Sequence, residues 1–275
     1  MCLTPMTIRR KELGPDGSIT RVVNCGRCVP CLRKKQIDWC FRLGKELNAS
    51  ESACFLTLTY NDESIPFTEG GYSLVRKDFQ DFMKRLRKHA NKKNMKYYAC
   101  GEYGDKTHRP HYHAIVFNLP RPFEKFVQKA WKFGHIHIGT VTEASIFYTT
   151  KYALKGLRRR KSHEVDDFGR EPQFQLMSNG LGINYAKDTI IEYLRTNGSK
   201  LLTVPGGAKK KLPRYYIEKM FTDPEEKALW TAAANSEVSI NHNRHNIDIT
   251  DKQRRELIEL YEYRNKKDRH NSDTI

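Results

Sequence analysis

Two histidines flank a tyrosine in His111-Tyr112-His113, and a carboxylate, Glu102, stands a short way upstream. Two imidazoles and one carboxylate make a three-ligand metal site with positions left open for substrate oxygens. Polarising a phosphodiester needs such an open metal. Further along, Tyr148, Lys151, Tyr152 and Lys155 fall at i, i+3, i+4 and i+7, which on a helix is a single stripe. A phenol with a pKa of about 10 attacks poorly at neutral pH until a cation or metal stabilises its oxyanion. Lys151 or Lys155 would offset charge building on the phosphoryl oxygens. Two tyrosines one turn apart allow two successive transesterifications without water or ATP. No G-x-x-x-x-G-K-[ST] pattern occurs, so no P-loop ATPase is recognisable.

The H-x-H spacing alone decides little. Strand histidines are often satisfied in a core, and His135-Ile136-His137 repeats the spacing in the same chain. Tyrosines and lysines on a helix are commonly solvated filler. What separates His111 and His113 is position, with a carboxylate strand before them and a Tyr/Lys helix after them.

The elements must supply that position. Residues 53–60 alternate like a strand, with Leu56, Leu58 and Tyr60 on one face and Phe55, Thr57 and Thr59 on the other. Helical spacing follows over 76–90, strands over 96–102 and 111–117, helical spacing over 122–132, and a fourth strand over 134–141. Thr142 is a fair N-cap for a helix running to about Leu157. The order βαββαβ plus a helix predicts an α+β fold with an antiparallel ferredoxin-like, RRM-like sheet. In it strands 96–102 and 111–117 are neighbours. The period of two sets His111 and His113 on one face, with Glu102 approaching from the side. An amphipathic helix over about 32–47 should turn Ile37, Phe41 and Gly44 inward and Arg33, Lys34 and Lys45 outward. Four segments are expected: a Cys-rich segment and helix at 1–50, an endonuclease core at 51–157, a basic irregular subdomain at 158–230 and a charged tail at 231–275. Within 158–200 the text reads as a linker or irregular subdomain.

Seven cysteines argue against a complete disulfide framework. Cys25-Gly26-Arg27-Cys28-Val29-Pro30-Cys31 offers three thiolates, and structural zinc wants four. Cys2 is the preferred fourth ligand and Cys40 the next. A Cys-x₃-Cys-Pro continuation for an iron–sulfur cluster is missing.

Charge points to the partner. Against 49 Lys and Arg stand 32 Asp and Glu, a net +17, an excess that favours an anionic partner, nucleic acid before a membrane surface. No apolar run has membrane-spanning length and the first residues carry no apolar signal core, so a soluble intracellular protein is expected. Arg109, the run Arg158, Arg159, Arg160 and Lys161, and the run Lys209, Lys210 and Lys211 are the basic candidates for contact with single-stranded DNA. Tyr215-Tyr216 stands close by for base stacking.

Phe55-Leu56-Thr57-Leu58-Thr59-Tyr60, Gly101-Glu102-Tyr103-Gly104, Arg109-Pro110-His111-Tyr112-His113 and the stripe from Tyr148 to Lys155 occur in the order of HUH endonucleases. More closely, the chain resembles the replication initiators of gokushoviruses, single-stranded DNA phages of the microvirus group. That likeness runs on through Met177-Ser178, residues 180–183 and Pro213-Arg214-Tyr215-Tyr216, and fades beyond about residue 230. It implies rolling-circle replication in the cytoplasm of an infected bacterium. The enzyme would nick origin DNA, keep the 5′ end as a phosphotyrosine and leave a 3′ hydroxyl for a host polymerase working with a host helicase. The second tyrosine would then rejoin the completed circle. By the family pattern Glu102, His111 and His113 hold Mg²⁺ or Mn²⁺. Two other readings compete: a non-catalytic RRM-like nucleic-acid module, and an iron oxygenase with a two-His-one-carboxylate triad. The first lacks aromatics where His111 and His113 stand, and the second leaves the charge and the Tyr/Lys stripe unexplained.

Binding to single-stranded DNA should weaken steeply with salt, as a straight line of log affinity against log salt concentration. Fluorescence anisotropy over a salt series checks this, and a flat response would contradict it.

Overall fold

The computed structural model describes residues 2–10, 17–155, 169–203 and 209–242. The chain opens with strands β1 (Met6–Arg9) and β2 (Thr20–Val23), then helix α1 (Val29–Asn48) and strands β3 (Ala53–Thr59), β4 (Phe67–Thr68) and β5 (Gly71–Tyr72). Helix α2 (Arg76–Ala90), strands β6 (Lys96–Tyr103) and β7 (Pro110–Phe117), helix α3 (Phe123–Ala130), strand β8 (Ile136–Gly139) and helix α4 (Glu143–Lys155) follow. Strand β9 (Phe174–Met177), helix α5 (Asp188–Asn197), strands β10 (Leu201–Thr203) and β11 (Lys209–Lys211), and helices α6 (Arg214–Met220) and α7 (Pro224–His242) complete the order. Residues 36–193 with 211–222 make one compact unit; the remaining described residues make another.

The larger unit is α+β. Its sheet runs β8-β3-β7-β6-β9, with every neighbouring pair antiparallel. Alternation along β3 sends Cys54, Leu56 and Leu58 to one face and Phe55, Thr57 and Thr59 to the other. On the first face α2 and α3 bring Phe79, Phe82, Met83, Leu86, Val127 and Ala130 against Leu56, Leu58, Tyr112, Ala114 and Val116. On the second, Trp39 and Leu43 of α1 and Ile146 of α4 cover Tyr98, Ile115 and Phe117. Both faces of the sheet are therefore buried under helices.

Helix α1 turns a different face inward from the expected one. Gln36, Trp39, Leu43 and Glu46 are buried, whereas Ile37 is 50% exposed. Two polar residues on the inward stripe disguise it from a reading by hydrophobicity. Glu46 tolerates burial because it is paired and hydrogen-bonded: Lys96 Nζ lies 2.9 Å away, and the Gly182 N–H donates to it at 2.7 Å. Lys96 also donates to the Gly180 carbonyl at 3.2 Å, so one buried ion pair ties α1, β6 and the segment after β9 together.

Strand β9 departs from the sequence reading, which places residues 174–177 in a linker or irregular subdomain. It pairs with β6 from Tyr98↔Met177 to Gly101↔Phe174 and so shields what would be a free sheet edge. Four residues set in charged, turn-rich text are too short to show a period of two.

In the smaller unit, Leu194, Leu202, Trp230 and Ala234 are buried, and Trp230 donates through Nε1 to the Leu194 carbonyl at 3.0 Å. The β1–β2 hairpin, in contrast, is exposed along nearly its whole length. No helix among the described residues is long and apolar enough to cross a membrane.

Gly134 lets β8 enter the sheet. Its φ is +151°, and a Cβ there would lie 2.3 Å from the Asn61 amide nitrogen and 2.5 Å from the Thr59 carbonyl. Both obstacles are backbone and cannot swing aside. Gly134→Ala should cost roughly 3 kcal/mol of folding stability; urea titration checks it, and an unshifted midpoint would refute the constraint.

Candidate functional site

The antiparallel register of β6 and β7 builds the site. Glu102 pairs with His111, and Cys100 with His113, so Glu102 sits straight across from one histidine and diagonal to the other, all on one face. Glu102 Oε1 is 2.9 Å from His111 Nε2 and 3.2 Å from His113 Nε2. The carboxylate is 3% exposed. Its second oxygen, Oε2, is buried with no hydrogen-bond partner, and so is His113 Nε2, whose ring is not aligned to bond to the oxygen it approaches. Orphaned buried polar atoms of this kind are uncommon and ask for an occupant. The donor atoms of the three residues lie within 4.8 Å of one another, and one carboxylate with two imidazoles suits a divalent cation that keeps open positions.

The far side of each ring is anchored. His111 Nδ1–H donates to the Arg109 carbonyl at 3.1 Å. His113 Nδ1 lies 3.0 Å from Thr57 Oγ1, the residue that faces it across β3 and β7. Both Nδ1 atoms are thus engaged, which aims both Nε2 atoms at Glu102. Sequence reasoning missed Thr57; its alternation phase on β3 marks it once β3 and β7 are known to be neighbours.

The electrostatics follow from the same contacts. Burial works against charge on Glu102, but hydrogen bonds from His111 and His113 outweigh it and hold the carboxyl below its ordinary range. Burial likewise disfavours the His111 imidazolium, yet the bonds to Glu102 and the Arg109 carbonyl hold its pKa above the usual histidine value. Protons and a metal therefore compete for one anionic pocket.

Helix α4 lays its tyrosines over this pocket. Thr142 and Ser145 cap its start reciprocally: the Ser145 N–H donates to Thr142 Oγ1 at 3.2 Å and the Thr142 N–H to Ser145 Oγ at 2.8 Å. Ile146 and Leu154 are buried. Gln36 of α1 donates to the Phe147 carbonyl at 3.1 Å, and Cys40 Sγ lies 3.3 Å from Thr150 Oγ1. So docked, α4 sets the Tyr148 ring edge-on to His113 at 5.2 Å and to Phe55 at 6.5 Å. The Tyr152 ring is 4.5 Å from that of Tyr148. Tyr148 is 39% exposed. Burial first, then the Glu102 carboxylate and Tyr152, push its phenol well above the ordinary range. Lys151 is exposed, its Nζ 5.8 Å from the Tyr152 ring centre. The Lys155 side chain lies outside the described residues.

The other expected residues divide. His135 and His137 are exposed on or beside β8, and no ligand cluster among the described residues includes them. Arg109 binds Asp62 at 2.7 Å and the Tyr60 carbonyl at 2.9 Å. Arg158, Arg159, Arg160 and Lys161 lie outside the described residues, as do the side chains of Lys209 and Lys210; Lys211 is exposed. Tyr216 is fully buried, packed edge-on to Phe41 and Tyr185, so it offers no face to a base. Tyr215 lies under the Arg42 guanidinium at 3.6 Å. Cys2, Cys25, Cys28 and Cys31 do converge; Cys40 is not among them and lies against Thr150.

Residues 53–157 match the family model for the phage Replication-associated protein ORF2. The chain is 28% identical over 236 residues to Replication-associated protein ORF2 of Spiroplasma virus 4, covering 78% of this chain and 72% of that one. It is 29% identical to Replication-associated protein VP4 of Bdellovibrio phage phiMH2K, over 70% and 65% of the two chains. To Replication-associated protein ORF4 of Chlamydia phage 1 it is 26% identical, over 74% and 55%; the chain thus spans less than two thirds of the length of these last two. A crystal structure of the hypothetical protein ORF119 from Sulfolobus islandicus rod-shaped virus 1 covers 47% of this chain and 97% of its own, at 23% identity and a TM-score of 0.31, a likeness too slight to bear on the site. Residues 53–157 carry the replication-associated domain, and the chain is a relative of the phage replication-associated proteins.

Proposed function

We propose that the chain initiates phage genome replication by nicking single-stranded origin DNA, with Tyr148 as the first nucleophile. One observation carries this reading: Glu102, His111 and His113 turn their donor atoms onto one buried point, and the Tyr148 ring packs against His113 beside it. The strand order β8-β3-β7-β6, with α2 and α3 on one face, agrees with a ferredoxin-like core of the HUH kind.

The phenolic oxygen of Tyr148 attacks the scissile phosphorus, the bond to the 3′ oxygen breaks, and the 5′ phosphate stays on the tyrosine. The phenol's proton is lost and the departing 3′ oxygen gains one, leaving a hydroxyl for a host polymerase, with strand separation by a host helicase. Mg²⁺ or Mn²⁺ held by Glu102, His111 and His113 would supply positive charge to the phenolate and the phosphoryl oxygens. With His113 Nδ1–H donating to Thr57, the Nε2 lone pair is presented to that cation. Tyr152, one turn on and in contact with Tyr148, is placed for the second transesterification that rejoins the strand. Lys151, and Lys155 a turn later, would meet the phosphate. Arg109 and the basic runs would hold the flanking DNA. The setting is the cytoplasm of an infected bacterium.

Single-stranded oligonucleotides spanning the replication origin, incubated with the protein and Mn²⁺, should give a covalent protein–DNA band on a denaturing gel. Tyr148→Phe should abolish the first adduct and Tyr152→Phe should leave it; chelation should remove it. Failure to form an adduct with any origin strand and any divalent cation would overturn the reading.

Thr57→Val removes the group that holds His113 and should weaken Mn²⁺ binding by about 10- to 100-fold; unchanged affinity by titration calorimetry would remove Thr57 from the site. Because His111 must lose its proton to bind metal and its pKa is raised, Mn²⁺ affinity should fall as pH falls, beginning above the ordinary histidine range. An affinity flat from pH 8 to pH 6 would contradict that competition.

A further inference from the structure

We propose that Cys2, Cys25, Cys28 and Cys31 bind one zinc ion as a closed tetrathiolate, and that this ion takes the place of a hydrophobic core for the β1–β2 hairpin. The site shares no residue with the histidine pocket and needs none of the nicking chemistry.

Geometry is the first ground. Zinc–sulfur bonds of about 2.3 Å put the corners of a tetrahedron about 3.8 Å apart, and Cys2 Sγ lies 3.7 Å from Cys28 Sγ. All four sulfurs fall within 4.8 Å of one another. A disulfide needs about 2.05 Å, and all four cysteines are free.

The backbone around them is arranged for thiolates. The N–H groups of Arg27 and Cys28 donate to Cys25 Sγ at 3.4 and 3.3 Å. The Cys25 N–H donates to Cys2 Sγ at 3.3 Å, and the Leu3 N–H to Cys28 Sγ at 3.5 Å. Gly26, at φ +72°, turns the chain so that Cys25 and Cys28 face the same point. Four amide donors on three sulfurs favour negative charge on them, as ligating thiolates require.

Folding of the segment supplies the third ground. Cys2 is the only buried residue among those described between 2 and 28. Strands of four residues with nearly all their side chains in solvent cannot hold together by apolar burial. A four-coordinate metal supplies the missing link, joining the residues before β1, the turn after β2 and the first turn of α1, where Cys31 sits.

The test uses the whole protein. Metal analysis of the purified chain should find one zinc per chain, kept in His113→Ala and lost in Cys28→Ser. Replacement by Co²⁺ should give the thiolate-to-cobalt charge-transfer and red d–d absorptions of a tetrahedral sulfur site. Should Cys28→Ser fail to fold, the wild-type chain decides: four cysteines should resist alkylation until a chelator strips the zinc, and the hairpin should then become open to protease. Folded protein without zinc, zinc retained in Cys28→Ser, or the four thiols alkylated without zinc release would each overturn the proposal.

Discussion

A carboxylate carried into the interior of the sheet sets the terms for everything around it. Glu102 is charged and almost wholly buried, and an uncompensated charge there is expensive. Two imidazoles meet one of its oxygens, and the other has no partner among the described residues. The register of β6 and β7 makes this sharing possible, and Thr57 and the Arg109 carbonyl keep the rings turned toward it. Each of these groups lies on the sheet or at its edge, the stiffest part of the unit.

Covering the sheet on both faces determines what such a site can do. An RRM-like stacking platform needs one open sheet face; here α1 and α4 cover the face that bears the histidines, and α2 and α3 the other. Helix α4 then does two things at once. Its buried side, Ile146, Thr150 and Leu154, docks on the unit, and its other side holds Tyr148 half in solvent against His113. A nucleophile that touches both the metal ligands and the solvent is what a reaction with a long polymer requires. The raised phenol of Tyr148 remains inert until a cation offsets Glu102, which would confine attack to the metal-loaded state.

Legibility of the sequence followed the length and periodicity of each element. The alternation of β3, β6 and β7 and the helical spacing of α2 and α4 were plain, so the face shared by His111, His113 and Glu102 was readable from them. The inward stripe of α1 was not, because Gln36 and Glu46 are polar and tolerate burial only through Phe147, Lys96 and Gly182, far away in the chain. Strand β9 was too short to show a period. Tyr216 looked available to DNA and is enclosed by Phe41 and Tyr185, since aromatic character alone does not distinguish a stacking surface from a core. Ranking Tyr148 ahead of Tyr152 also needed the structure, because one turn of helix separates them and the contact with His113 decides.

The central claim is that Tyr148 forms the first phosphodiester bond with the DNA. It is tested most directly by trapping the adduct with Mn²⁺, digesting DNA and protein, and locating the nucleotide by tandem mass spectrometry. The account predicts a nucleotide on the peptide containing Tyr148. A nucleotide carried by any other residue in the trapped first adduct would contradict it.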